Sequence, residues 1–312
     1  MTGVNRMAAV VGTAAVLVGL LPTAALADDL TDLLKRANEA TYSADRLVVS
    51  VWGGQTEVVK SFVEHADGSE IVRVDEAWSF VGNGRSATMG ETPAGVAFMS
   101  HSSPISTDKY TIGETFQAEH MRRKCTVVTV MEGDVKRASL VIDNNTGAPL
   151  ITEMYADDGS VFRRTSLQEF KAYRTYSWPT DRGQATYEIV MPLQTDLLPD
   201  EVAGYRLVEV FPAPSNAAQG FYSDGLFTFS LFVFDKSTSV TGFEEPSTFV
   251  TATGTYDTVP TADDIQITWT GFDNEYVLVG DLPPDHAADV LAELPEPDLR
   301  SAFARWWSNL FG

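Results

Sequence analysis

The first half of the chain repeats one pattern, short apolar segments divided by turn residues, and this pattern restricts the fold more than any other feature. The turns lie at residues 53–54, 133–134, 144–147 and 157–159. Apolar segments joined by so few residues of this kind form antiparallel hairpins. Residues 46–173 are therefore predicted to form an antiparallel sheet. A sheet of that extent must close, stack or be plugged, because open edges and an apolar face favour aggregation.

A helix is predicted just before this sheet, over residues 29–40. Asp28 or Asp29 supplies an N-cap, and the apolar residues that follow recur at helical spacing. Those residues are Leu30, Leu33, Leu34, Ala37 and Ala40. We expect this helix to pack against the sheet and to cover part of its apolar face.

The first 27 residues are predicted to be a secretory signal peptide. Arg6 supplies a short positive region, residues 7–21 are apolar but short for a membrane span, and Ala25-Leu26-Ala27 is a small-x-small cleavage site. An uncleaved anchor is the alternative. Either reading places the folded part outside the cytoplasm.

Charge and cysteine content exclude several classes of function. The chain has 22 Lys and Arg against 43 Asp and Glu, for a formal net charge of −21. Such a surface repels phosphate backbones, so no nucleic-acid partner is expected. The single cysteine, Cys125, excludes an internal disulfide. The basic residues 122–124 beside Cys125 would lower the pKa of its thiol and make it reactive, whereas burial would make it inert. We expect an inert thiol. No cofactor or metal is expected from the scattered histidines and short acidic pairs.

The second half is predicted to be a smaller domain over residues 197–294, reached through a linker at 173–196 that contains Trp178-Pro179 and Met191-Pro192. Its predicted strands lie at 205–210, 226–235, 248–256, 264–271 and 276–280, and a short helix is predicted at 286–294. His286 is expected to be a solvated residue of that helix.

The last residues, 295–312, form an amphipathic tail after a proline-interrupted start. Its apolar residues fall on one helical stripe: Leu299, Phe303, Trp306, Trp307, Leu310 and Phe311. The stripe has three possible positions: a membrane interface, a groove on a partner, or the chain's own second domain.

Several stretches resemble the RseB/MucB family of periplasmic regulators of sigma-factor signalling. They are 33–37; 140–150 with the Asp-Gly turn at 157–159; 205–207 with Tyr222-Ser223-Asp224-Gly225-Leu226; and 277–284. Their order and spacing extend the resemblance from about residue 30 to 294. Residues 82–110 depart from the family's pattern, and the tail is additional to it.

The resemblance implies a mostly β protein of the α+β class. Residues 28–172 would form a LolA/LolB-like, half-open antiparallel β-barrel with a covering helix, and residues 197–294 a smaller mixed α/β domain. Members of the family bind the periplasmic segment of a membrane anti-sigma factor and shield it from proteolysis, and misplaced envelope lipid or lipopolysaccharide relieves the shielding. The partners implied are a membrane-bound anti-sigma factor and a lipid or amphiphile, with a homo-oligomer left open.

A ligand groove is predicted on the sheltered face of the first sheet. The candidate residues are Val49, Val51, Val59, Val63, Phe80, Val128, Val130, Leu140, Ile142 and Phe162. The two-residue period of a strand does not decide which parity points inward. A completely packed core is the alternative to a groove.

Partner binding is predicted at Tyr222, Ser223 and Asp224, and in the tail at Trp306 and Trp307. The alternative for the first three is an ordinary hairpin turn with positive φ at Gly225. Ser223 beside Asp224 also raises a hydrolase reading, but no G-x-S-x-G motif accompanies it, so no enzyme is expected. The rival to a regulator is a LolA-like carrier of lipid or lipoprotein, for which the second domain would be dispensable.

Overall fold

The computed structural model describes residues 30–66, 69–74, 77–81, 109–175, 196–212, 217–235, 246–261 and 264–298. The described residues between 30 and 175 form one helix and one open antiparallel sheet of nine strands. The elements are α1 (Leu30–Glu39), β1 (Tyr42–Trp52), β2 (Gln55–Ala66), β3 (Ser69–Val74), β4 (Ala77–Val81), β5 (Tyr110–His120), β6 (Arg123–Glu132), β7 (Val135–Asp143), β8 (Pro149–Tyr155) and β9 (Val161–Ala172). The strand order is β4-β3-β2-β1-β9-β8-β7-β6-β5.

The described part of residues 196–298 forms a second antiparallel sheet, of eight strands, and one helix. The elements are β10 (Glu201–Val202), β11 (Tyr205–Pro212), β12 (Ala218–Ser223), β13 (Thr228–Asp235), β14 (Ser247–Val250), β15 (Thr255–Pro260), β16 (Ile265–Thr270), β17 (Asn274–Gly280) and α2 (Pro284–Glu293). The order is β10-β11-β12-β13-β17-β16-β15-β14. The predicted fold class, mostly β with an open antiparallel first sheet and a helix beside it, is confirmed.

The β7–β8 turn holds α1 against the first sheet. Asp143, fully buried, accepts two hydrogen bonds of 2.9 Å from the Arg123 guanidinium and two more from the amide and hydroxyl of Thr146. At Gly147, where φ is +79°, a Cβ atom would stand 2.9 Å from the carbonyl oxygen of Arg36 in α1. The turn therefore requires glycine, both for its backbone conformation and for its close approach to the helix.

One hydrophobic core connects both sheets. It includes Leu33 of α1, Val128 and Leu140 of the first sheet, and Leu231 and Leu278 of the second, all 5% exposed or less. A smaller cluster, with Val63, Val72 and Leu167 among its members, lies under the other end of the first sheet. The two sheets are thus packed as one body over the larger core.

The sequence expectations differ from the structure in three details. The strand predicted at 248–256 is two strands, β14 and β15, because Thr251 and Gly254 close a turn between them through an N–H···O bond of 2.9 Å. Strand β5 lies inside the range predicted to form the sheet, but the sequence gives no bounds for it, since it follows a stretch with no recognisable pattern. Tyr222 and Ser223, read as part of a turn, belong to β12.

Some sequence predictions lie outside the described residues. These are the signal peptide, most of the linker, Trp306 and Trp307, while Phe80 lies in β4 with its side chain undescribed. Among the described residues, neither helix has the length and apolar character that a membrane crossing requires.

Candidate functional site at the junction of the two sheets

Phe227 is the aromatic centre of the junction between the sheets. It follows β12 in the second sheet, is fully buried, and its ring centroid lies 6.2 Å from that of Phe162 and 6.3 Å from that of Tyr110, both in the first sheet. His286 of α2 meets the same ring edge-on at 5.4 Å. A side chain from the second half therefore packs directly on the buried face of the first.

The turn that carries Phe227 is fixed by Asp224. One carboxylate oxygen accepts the amides of Leu226 and Phe227, at 3.0 and 2.8 Å. The other accepts hydrogen bonds from two groups of the first half, the Tyr110 hydroxyl at 2.5 Å and Lys109 Nζ at 2.9 Å. One buried carboxylate thus shapes its own turn and attaches that turn to the first sheet.

A second polar contact joins α2 to β6. His286 Nε2 donates to Glu132 Oε2 at 2.9 Å, and its Nδ1 hydrogen-bonds with the Tyr205 hydroxyl at 2.7 Å. Because a carboxylate oxygen only accepts, the Nε2 atom carries a proton. The imidazole therefore joins β11, α2 and β6.

The charges at the junction are complementary. Arg137 of β7 pairs with Glu132 at 2.6 Å and with Asp285 of α2 at 2.7 Å. Lys109 lies 3.3 Å from Glu132 in addition to its contact with Asp224. Cations of the first half thus face carboxylates of the second, and Glu132 faces His286. We call the set Lys109, Glu132, Arg137, Asp224, Asp285 and His286 the junction network.

These neighbours change the acidity of the junction residues. Burial alone would raise the pKa of Glu132, but the hydrogen bond and charge of His286, with Arg137 and Lys109, outweigh it and hold the pKa at about 2. Burial, together with the adjacent Asp224 carboxylate, raises the pKa of Tyr110. Glu132 is therefore ionised at any physiological pH, and Tyr110 remains a hydrogen-bond donor.

A further carboxylate, the half-buried Asp281, follows β17. It accepts the Thr228 amide at 2.6 Å and lies 3.9 Å from Arg163 of β9. Burial raises its pKa, and Arg163 opposes that effect only in part. The Asp281–Arg163 pair adds one more contact between the halves, at a longer distance than the ion pairs of the junction network.

The three residues predicted to bind a partner are buried in this structure. Tyr222 donates to the carbonyl of Pro199 at 2.8 Å, and Ser223 hydrogen-bonds within its own turn to Phe227 and Gly225. Asp224 belongs to the junction network. As the alternative reading expected, the turn has positive φ at Gly225 (95°). Partner contact through these side chains stays a prediction, and in this conformation none of the three is presented to solvent.

The predicted groove residues fall into separate places. Val128, Val130, Leu140, Ile142 and Phe162 lie together in the larger core, and Val63 lies in the smaller one. Val49 and Val59 are half-buried and Val51 is exposed. In β1 the buried parity is Val48, Ser50 and Trp52, so Val49 and Val51 lie on the other face. A ligand groove at these residues stays a prediction, and Phe227 occupies part of the face where it would lie.

Two interpretations of single residues are settled by burial. His286 is 4% exposed and internal, so its assignment as a solvated residue was wrong. Cys125 is fully buried, and burial raises the pKa of its thiol despite the nearby Arg123. Among the described residues, no group of three or more His, Cys, Asp or Glu is placed to hold a metal ion.

Sequence reasoning missed most of the junction network. Lys109 and Tyr110 adjoin a stretch without a recognisable pattern, and Glu132 and Arg137 flank a hairpin turn, where charged residues are ordinarily solvated. The one available signal was Asp281-Leu-Pro-Pro-Asp285, two acids around a helix start, which the sequence shows plainly.

The described residues thus define a two-sheet β protein whose halves share a core and a buried charge network. Comparison with protein-family models found no match. Comparison with curated proteins found none either.

Solved structures do match. The chain is similar to the MucA/MucB complex of Pseudomonas aeruginosa, with 19% identity over 86% of this chain and 99% of that one, at a TM-score of 0.49. It is similar to MucB alone with 17% identity over 85% and 96%, at 0.43. A LolA superfamily protein from Nitrosomonas europaea matches 46% of this chain and 94% of its own, with 10% identity and a TM-score of 0.23.

Proposed function

We propose that this protein is a non-enzymatic, extracytoplasmic regulator that binds the exposed segment of a membrane anti-sigma factor and controls its proteolysis. The proposal takes its partner class from the RseB/MucB-like sequence motifs. The matched solved structures of MucB with MucA are of proteins from the family that those motifs resemble.

One observation carries the proposal: the family-like motifs of the second half lie where the two halves meet. Tyr205 hydrogen-bonds with His286, which in turn donates to Glu132 of the first sheet. Asp224 accepts hydrogen bonds from Lys109 and Tyr110, and Asp281 faces Arg163. These motif residues therefore hold the two halves together, in addition to stabilising the half to which they belong. That supports a protein whose function depends on both halves together.

The same observation disfavours a lipid carrier that acts through its first half alone. Removing the second half would uncover Phe162 and Tyr110, which Phe227 now contacts, and would leave Arg137 without Asp285. Exposing these aromatic rings to water is costly, so the second half is an integral part of the fold.

A lipid or amphiphile enters the proposal as a competitor of Phe227. An acyl chain on the buried face of the first sheet would gain about 0.8 kcal/mol per methylene buried. It would have to displace Phe227 to reach that face. Ligand binding and the present arrangement of the halves would then be linked, so that each weakens the other.

The proposal is tested by copurification. The tagged mature chain is expressed in its own host, recovered from detergent-solubilised membranes, and analysed by mass spectrometry for protein and lipid together. We expect a membrane protein whose extracytoplasmic segment is cleaved more slowly by its protease when the mature chain is bound.

The test variant for this experiment is Glu132→Gln, which alters the junction network. Its control is Glu153→Gln, which alters a carboxylate whose partners lie within the first sheet. We expect Glu132→Gln to change the cleavage rate of the partner and Glu153→Gln to leave it unchanged. Recovery of lipid without a membrane partner, together with transfer of that lipid between vesicles, would instead identify a carrier.

A further inference from the structure

The second sheet has two faces, and only one of them packs against the core that it shares with the first sheet. Tyr276, Leu278, Leu231 and Val233 point into the core shared with the first sheet, and α2 packs on that side through Ala287, Val290 and Leu291. The residues between them point to the opposite side, because successive side chains of a strand alternate. We call that opposite side the outer face; it carries Gln219, Phe221, Ser230, Phe232, Phe234, Gln266, Thr268, Val277 and Val279.

The outer face is covered. Val277 and Val279 are 8% and 5% exposed, and Ser230 only 3%, although neither of the two core clusters contains them. Val279 is flanked across the strands by the small Ser230 and the polar Gln266, and Val277 is flanked by Phe232 and Thr268. Helix α2 lies on the other side of the sheet, so the cover comes from elsewhere.

The path of the chain after α2 leads toward this face. The Trp269 indole nitrogen, on the core side, donates to the carbonyl of Pro295 at 2.8 Å. Three residues later, the amide of Asp298 donates to the carbonyl of Thr270 at 2.8 Å, in the plane of the sheet. The segment 295–298 thus runs from the core side of the sheet to its plane at the end of β16.

We propose that the C-terminal tail, residues 299–312, folds back on the outer face and covers it. Fourteen residues of helix are about 21 Å long, and the four strands β12, β13, β17 and β16 span roughly 15 Å from first to last. The stripe formed by Leu299, Phe303, Trp306, Trp307, Leu310 and Phe311 matches the apolar residues of the outer face, which are Phe221, Phe232, Phe234, Val277 and Val279. The tail is then a structural part of the second half, and its stripe is withheld from membranes and from other proteins.

Thiol labelling tests this assignment in the mature full-length protein. Val279→Cys is compared with Val233→Cys, the same change on the core side, and with Val250→Cys at a position that is 69% exposed. Each is made in the full chain and in a chain that ends at Asp298, and the slow rate of the parent's own Cys125 is subtracted.

We expect removal of the tail to speed maleimide labelling of Val279→Cys about tenfold or more, because a covered position reacts only through local opening. Val233→Cys is expected to stay slow and Val250→Cys to stay fast in both chains. Addition of a synthetic peptide of residues 299–312 is expected to slow the labelling again.

An unchanged Val279→Cys rate on truncation would overturn the proposal, because another segment would then be the cover. If truncation also exposes Val233→Cys, the shortened chain is unfolded. The decisive comparison is then full-length Val279→Cys with and without Trp306→Ser and Trp307→Ser, where equal rates again reject the assignment. Tail-dependent binding to phosphatidylglycerol vesicles, with Val279→Cys labelling independent of the tail, would assign the stripe to lipid.

Discussion

His286 Nε2 donates a 2.9 Å hydrogen bond to Glu132 Oε2, and this contact joins the only described helix of the second half to the first sheet. The two residues are separated by 154 positions in sequence. Glu132 also accepts from Arg137, which pairs with Asp285, the neighbour of His286. The arrangement of the halves therefore depends on charged side chains that pair with one another. Loss of one of them leaves others buried without a partner.

Replacement of Glu132 tests that dependence. Glu132→Gln keeps the shape and removes the charge that faces Arg137, Lys109 and His286, so we expect the free energy of unfolding to fall by about 1–3 kcal/mol. Glu153→Gln is the control: its side chain is 26% exposed against 24% for Glu132, but it pairs with Arg164 and Tyr155 within one sheet. Urea titration measures both, and equal losses would contradict a special role for the junction.

The pH dependence of stability follows from the same carboxylate. Its pKa is about 2 in the folded protein against an ordinary 4.5, so it stabilises the fold above pH 4.5, and this contribution is lost as the pH falls from 4.5 through 2. We expect a loss on the order of 1 kcal/mol after solvent screening. Asp143, whose pKa is held down by Arg123 and Thr146 against the effect of burial, adds to it. Urea midpoints from pH 6 to 2 should fall less steeply for Glu132→Gln, and parallel curves would reject this account.

Phe227 tests the packing at the junction independently of charge. Phe227→Ala removes a fully buried ring from between Tyr110, Phe162 and His286, and we expect a loss of about 3–5 kcal/mol. Phe272→Ala, at a position 65% exposed, is the control and should be nearly neutral. Thermal unfolding measures both. A small effect of Phe227→Ala would mean that the junction rearranges easily, and would also weaken the argument that lipid must compete for this face.

The sequence was sufficient for the sheet and insufficient for the junction, for a physical reason. Hairpins such as β6–β7 are specified by neighbouring residues, so a turn dipeptide and alternating apolar residues reveal them. The parity of β1 was not specified locally: Val48 and Val49 have the same side chain, and only tertiary packing buries one of them. The contacts of the junction depend even less on neighbouring residues, because Glu132 and His286 meet only after both halves have folded.

Cys125 offers a direct measure of native-state opening. Its thiol is buried in β6, and burial raises its pKa, so two effects slow its reaction with a maleimide or disulfide reagent. At pH 8 we expect the native protein to react at least about a hundredfold more slowly than the protein in 8 M urea. Rapid native labelling would show that the first sheet opens readily at this strand.

The contact between α1 and the β7–β8 turn can be isolated by two glycines with the same backbone conformation. Gly147 and Gly159 both have φ of +79°, but a Cβ on Gly147 would stand 2.9 Å from the Arg36 carbonyl, whereas one on Gly159 meets nothing within 4 Å. Alanine at either site costs about 1 kcal/mol for the left-handed backbone. At Gly147 the displaced helix adds roughly 1–3 kcal/mol. We therefore expect Gly147→Ala to be clearly the more destabilising in urea titration, with a loss of α1 protection in hydrogen exchange. Equal effects of the two substitutions would mean that α1 moves away at no cost and does not cover the sheet firmly.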